Sequence, residues 1–171
     1  MIKNCLSLPG DFAECGVAGG DLTFVLDKYV LPANKKLWAF DTFEGLPYSE
    51  SEALYKGRFS DLHAGFWNRL EQKEQTSIIP VKGLIEKTLK DFADLKFCFV
   101  WLDLDLCEPT RFAYRFFENR MVPGGIIGFH DYDFDPCPGI KVVVDEEVDK
   151  GKYEEVFNKD ICYFIRRKTD D

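Results

Sequence analysis

The chain has 171 residues, of which 46% are hydrophobic and 15% aromatic, and its formal net charge is −8 at pH 7. That length fits one domain spanning residues 1–171 with material for a sizeable core. The acidic balance argues against a nucleic-acid partner, which would need a basic face. Arg166-Arg167-Lys168 reads as a solvated strand end. The six cysteines form no Cys-x-x-Cys pair, and two histidines do not supply zinc-type spacing. Reduced, mostly buried thiols are expected. The first residues lack the apolar core of a signal peptide, and no apolar run approaches the roughly 20 residues of a membrane span. A soluble, cytoplasmic protein with no membrane partner is the expectation.

In chain order, residues 12–17 predict a short strand that ends in glycines, and 22–30 a helix that stops before Pro32. Residues 37–40 predict a second strand ending at Asp41, and 77–81 a third ending at Lys82-Gly83. Residues 97–102 form the fourth, ending at Asp103. A helix is expected over 110–119, closed by Pro123-Gly124-Gly125. Residues 125–129 form the fifth strand, ending at His130-Asp131. A helix over 140–149 and a hairpin of 153–157 with 161–166 complete the chain. Near-continuous apolar strands separated by helices imply an α/β fold with a mostly parallel sheet covered on both faces. Residues 47–75 are long for a connection, so they should carry a helix and act as a flap on the substrate side.

Polar residues stand where strands end: Glu14, Asp41, Asp103 and Asp131. In an open parallel sheet these ends share one edge, where ligands bind. Glu14-x-Gly16-x-x-Gly19-Gly20 supplies a tight strand-to-helix turn in which a side chain would collide with a ligand. It differs from the dinucleotide pattern by an acidic residue in the first glycine's place. A pyrophosphate disfavours that carboxylate, whereas the cation S-adenosylmethionine (SAM) accepts it. Asp41 lies roughly 25 residues beyond the loop, where an acidic residue accepts ribose hydroxyls of either SAM or NAD. Gly83, after the third strand, offers backbone against which an adenine ring could rest.

These blocks resemble the macrocin O-methyltransferase (TylF) family. The matching segments are Gly10-Asp11-Phe12-Ala13-Glu14-Cys15-Gly16-Val17, Asp41-Thr42-Phe43-Glu44-Gly45-Leu46-Pro47, Lys82-Gly83 with Thr88-Leu89, Leu102-Asp103-Leu104-Asp105-Leu106-Cys107-Glu108-Pro109-Thr110, and Pro123-Gly124-Gly125 through His130-Asp131-Tyr132, followed by a helix over 139–146. The resemblance implies a Rossmann-like class I methyltransferase fold of about seven strands, the last antiparallel. It also implies SAM-dependent methylation of a hydroxyl on a small molecule, plausibly a sugar, usually with Mg²⁺ (or Mn²⁺). Glu14, Gly16, Gly19 and Gly20 would bind SAM near its methionine part, Asp41 its ribose, with Gly83 and Asp103 completing the cofactor set. Asp103, His130 and Asp131 would hold the metal, and His130 and Asp131 would take part in catalysis. A bound ion lowers the pKa of a sugar hydroxyl, and a positioned base takes its proton.

Three departures from the family pattern matter. Where His130-Asp131 stands, the family has two aspartates, and magnesium prefers oxygen ligands. Either Asp133 or Asp105 completes the site, or the metal is softer (manganese or iron), or there is none and His130 is the general base. Cys107 and Pro109 replace a Tyr and a Ser. Only about nine residues precede the first block, so the acceptor pocket is either more open or completed by another subunit, which leaves room for a homodimer. His63 is a further candidate base, set against a plain reading as a surface histidine on an amphipathic helix whose packing face is Phe66, Trp67 and Leu70. The alternatives are a SAM- or nucleotide-binding protein without methyl transfer and an NAD-dependent oxidoreductase.

Overall fold

A computed structural model describes residues 1–47 and 57–169. Residues 48–56, within the expected flap, lie outside them. Seven strands form one sheet in the order β3-β2-β1-β4-β5-β7-β6. They are β1 (Asp11–Cys15), β2 (Leu37–Asp41), β3 (Ile78–Lys82), β4 (Phe97–Leu102), β5 (Met121–Phe129), β6 (Tyr153–Lys159) and β7 (Cys162–Arg167). β1 to β5 pair in parallel, and β7 runs antiparallel between β5 and β6. This is the expected Rossmann-like methyltransferase architecture. The helices are α1 (Ile2–Cys5), α2 (Asp21–Val30), α3 (His63–Glu71), α4 (Ile85–Thr88), which runs on into a 3₁₀ turn over Leu89–Phe92, α5 (Cys107–Glu118) and α6 (Pro138–Glu147). No helix among the described residues is long and apolar enough to cross a membrane.

The strands divide the core in two, because successive side chains point to opposite faces. Ala13 and Cys15 of β1 join the core beneath α5 and α6, with Tyr114, Phe117 and Val143. Phe12 joins the core beneath α2, with Phe24, Leu26 and Phe66. Of the packing face expected of α3, Phe66 is buried and Leu70 packs against the same cluster, whereas Trp67 stays exposed with its ring edge-on to Phe66. None of the six cysteines is in a disulfide, and Cys5, Cys15, Cys98 and Cys137 are buried.

Two of the boundaries that differ from expectation have a local cause. α5 begins at Cys107 rather than 110, because Pro109 falls in the first turn, where a missing N–H costs no helical bond. β5 begins at Met121 and runs through Pro123-Gly124-Gly125, which had been expected to close the helix. Its register with β4 slips there, Phe97 pairing with Met121 but Phe99 with Ile126, and an irregular stretch of this kind is where a proline fits inside a sheet. Pro80 fits because β3 is an edge strand.

α2 is tied to the β3 side through Asp27, which is 1% exposed. Its Oδ1 accepts bonds from the Ser77 N–H (2.7 Å), the Ser77 hydroxyl (2.6 Å) and the Thr76 hydroxyl (3.0 Å). Lys73 Nζ lies 2.7 Å from Oδ2. Burial alone would raise this carboxyl, but Lys73, Ser77 and Thr76 outweigh it and hold it below the usual aspartate range. A carboxylate lowered in the folded state stabilises above its unfolded pKa, and that contribution is lost as pH falls through the folded value. Asp27→Ala should therefore cost about 3 kcal/mol at neutral pH, since buried donors lose their acceptor. In urea melts, the gap to wild type should narrow below the ordinary aspartate value of 3.8.

Candidate active site

The chain runs outward from β1 to β3, then returns to place β4 on the other side of β1, so the ends of β1 and β4 border the crevice where ligands settle in such sheets. Gly16 leaves β1 at φ +89°, and a Cβ there would lie 1.8 Å from the carbonyl oxygen of Asp103. The Asp103 N–H in turn donates to the Cys15 carbonyl at 2.8 Å. The glycine is thus required by backbone contact between the two strand ends. Gly20 caps α2 at φ +81°, with Phe66 and Phe24 where a side chain would go. Gly19 has space around it.

Asp41 organises the loop. Its Oδ2 accepts the N–H groups of Val17 (2.7 Å) and Ala18 (3.1 Å), and its Oδ1 that of Phe43 (2.6 Å). These bonds tie the loop after β1 to the end of β2. Asp41→Ala should loosen the loop and raise the dissociation constant for S-adenosylhomocysteine at least about tenfold, as one charge-assisted pair is worth; isothermal titration would measure it.

Glu14 takes an unexpected place. Alternation along β1 turns it, like Phe12, toward α2, and it is 2% exposed and absent from the cavity wall. Burial pushes its carboxyl up to about 8, the Thr23 hydroxyl opposing and the Asp103 and Asp41 charges adding to the rise. Largely neutral and turned inward, it does not present the charge that was expected to repel a pyrophosphate.

A cavity of about 490 Å³ opens at this edge. Of the residues expected at the site, Gly16, Asp41, Gly83, Asp103, His63, His130 and Asp131 line it. Glu14, Gly19 and Gly20 do not. Gly83 turns the chain into α4 at φ +145°, where a Cβ would meet Thr88 at 2.9 Å. His63, half-buried at the start of α3, faces the cavity from the flap side, together with Arg58, Phe59 and Leu62.

At the other side, His130 Nδ1 lies 3.1 Å from Asp103 Oδ1 and 3.1 Å from Asp131 Oδ1. One N–H cannot align with both oxygens, and Nδ1 makes no hydrogen bond of good geometry. The neighbouring Asp103 and then Asp131 carboxylates favour the charged imidazole and push it up to about 10. Asp105 stands beside this trio at φ +59°. Burial, then the Asp103 and Asp131 charges, push it up to about 7. A second group, Asp105, Asp131 and Cys137, brings its donor atoms within 4.8 Å of one another. From the sequence Asp105 was only an alternative metal ligand, and Cys137 and Phe134 were not expected in the cavity wall; for Asp105 the two-residue spacing from Asp103 was the available signal, and for Cys137 there was none.

The profile of a methyltransferase-domain family matches residues 13–132. The chain belongs to that family. Membership implies SAM as the methyl donor. Among similar solved structures, the O-methyltransferase NovP superposes with a TM-score of 0.79 at 22% identity, covering 98% of this chain and 78% of that one. The calicheamicin methyltransferase CalS11 gives 0.72 at 21% identity, covering 96% and 75%. In sequence the methyltransferase domain is 29% identical over 149 residues to 8-demethyl-8-(2,3-dimethoxy-alpha-L-rhamnosyl)-tetracenomycin-C 4'-O-methyltransferase of Streptomyces olivaceus, covering 76% of this chain. The chain spans only 56% of that relative's length.

The residues present fit SAM. Phe40, Leu84 and Ile85 give the cavity an apolar wall next to Gly83, suited to an adenine ring, and Asp41 stands on the same side. Asp103, at the junction of the two halves, offers negative charge to a sulfonium. The donors also fit a divalent ion. Ligands about 2.1 Å from one octahedral centre and at right angles are about 3 Å apart, and His130 Nδ1 keeps 3.1 Å from both carboxylates. A proton on Nδ1 and an ion would compete for that space.

Proposed function

We propose that this methyltransferase domain transfers a methyl group from SAM to a hydroxyl of a sugar-containing small molecule, with a divalent cation held by Asp103, His130 and Asp131. The observation that carries the reading is the meeting of those three donors, His130 Nδ1 lying 3.1 Å from each carboxylate, in the same cavity as Gly16 and Asp41. Kinship with the macrocin O-methyltransferase family belongs to this reading. So does a sugar acceptor, since one relative is named for a rhamnosyl substrate and another similar structure, of apo CalS11, is titled a TDP-rhamnose 3'-O-methyltransferase.

SAM supplies an electrophilic methyl group on a sulfonium. A divalent ion would lower the pKa of the acceptor hydroxyl and fix its direction. The protein's residues do the rest. Asp41 holds the glycine loop in shape, and the Gly16–Asp103 contact brings the cofactor side against the carboxylates. Asp105 lines the same cavity, within 4.8 Å of Asp131 and outside the Asp103–His130–Asp131 group, and in this reading it accepts the hydroxyl proton. Phe59, Leu62 and Phe134 surround the mouth, where they exclude water and hold the apolar face of an acceptor. The substrate-side role of residues 47–75 rests on Pro47, Arg58, Phe59, Leu62 and His63 lining the same cavity.

The test is titration of the purified chain with SAM, S-adenosylhomocysteine and NAD, with and without Mg²⁺ or Mn²⁺, followed by methyl transfer to a rhamnoside. SAM and S-adenosylhomocysteine should bind and NAD should not, with turnover dependent on the ion. Absence of SAM binding under every condition would overturn the reading. Binding of SAM without transfer to any acceptor would favour a binding protein of the same fold.

A further inference from the structure

We propose that Asp105, Asp131 and Cys137 form a second cation site, selective for a thiophilic divalent ion of the zinc class, and that its occupation blocks methyl transfer. The inhibitory consequence rests on the function proposed above; the binding does not. One oxygen of each carboxylate and the Cys137 sulfur lie within 4.8 Å of one another, with Cys137 Sγ 3.9 Å from Asp105 Oδ1. Three separate elements deliver them: the loop after β4, the turn after β5 and the cap of α6. All three residues line the cavity, so an ion can reach them from solvent.

A second observation points to a cation here. The Asp131 side chain is 6% exposed, and its charged partner, His130 Nδ1 at 3.1 Å, is shared with Asp103. Three carboxylates, Asp103, Asp105 and Asp131, crowd around this one imidazole, and like charges held together out of water are costly unless further positive charge meets them. Asp131 can turn toward two partners, the His130 side and the Cys137 side.

The donor set decides which ion goes where. Thiolate selects zinc-class ions, whereas magnesium keeps to oxygen ligands. Binding releases the Cys137 thiol proton to solvent and forms a metal–sulfur bond. An ion there engages Asp105, the proton acceptor, and draws Asp131 from the first site. Zinc should therefore inhibit where magnesium supports turnover.

Cobalt(II) is the probe, because a thiolate ligand produces a ligand-to-metal charge-transfer absorption. Titrating the full chain should give this band with saturation at about one equivalent, as one sulfur per site requires. Cys137→Ser should lose the band and bind cobalt at least about tenfold more weakly, with Cys137→Ala as a second variant should serine perturb folding. Cys107→Ser and His130→Ala should both keep the band, the latter separating this site from the Asp103–His130–Asp131 group. No band in the wild type, or a band that survives in Cys137→Ser, overturns the proposal, as does its loss in His130→Ala with the melting temperature unchanged. Parallel titration with S-adenosylhomocysteine separates the two readings: failure there with the cobalt band intact overturns the function and supports this site.

Discussion

Gly16→Ala should leave a chain that melts at far lower temperature and binds neither SAM nor S-adenosylhomocysteine. Two costs add. A residue with a Cβ at φ +89° is strained by about 1–2 kcal/mol. The new methyl would also stand 1.8 Å from the Asp103 carbonyl oxygen, a backbone atom that cannot swing aside. Relief requires parting β1 from β4, with loss of the Asp103 N–H bond to Cys15. Together these should exceed about 3 kcal/mol, a large share of a typical domain's stability. Gly19→Ala is the control: the nearest atom to its Cβ would be Leu62 Cβ at 4.0 Å, and its φ is ordinary. Calorimetric melting with ligand titration reads both. A Gly16→Ala protein with wild-type melting temperature would show that the strand ends do not touch as described.

Asp105→Asn should lower kcat by roughly 10²–10⁴-fold, the range of a lost general base. S-adenosylhomocysteine affinity should stay within about twofold, because the proposed function assigns Asp105 to the acceptor rather than to the cofactor. The substitution keeps the side chain's shape and its left-handed backbone, which asparagine adopts readily. A loss of cofactor binding equal to the loss of turnover would instead assign Asp105 to the cofactor side. The measurement is steady-state methyl transfer together with ligand titration on the same preparation.

Much of the fold was legible because a strand buried on both faces is written as consecutive apolar residues, as in Phe97-Cys98-Phe99-Val100-Trp101-Leu102. α4, of four residues, is too short to show a helical period. The start of α5 lies before Pro109, which a first turn tolerates, rather than at the expected residue 110.

For the site, the sequence by itself determined which residues end the strands, and so that Asp41, Asp103, His130 and Asp131 share one edge. It could not determine facing, which depends on strand alternation and on contacts between distant segments. Only the tertiary structure turned Glu14 inward against α2 and left Asp41 to fill the loop's N–H groups. Only it brought Asp105 and Cys137, 32 positions apart, to the same carboxylate. The physical reason is the same in each case: a side chain's chemistry is set by what packs against it, and those neighbours come from β2, β5 and the cap of α6 rather than from adjacent sequence.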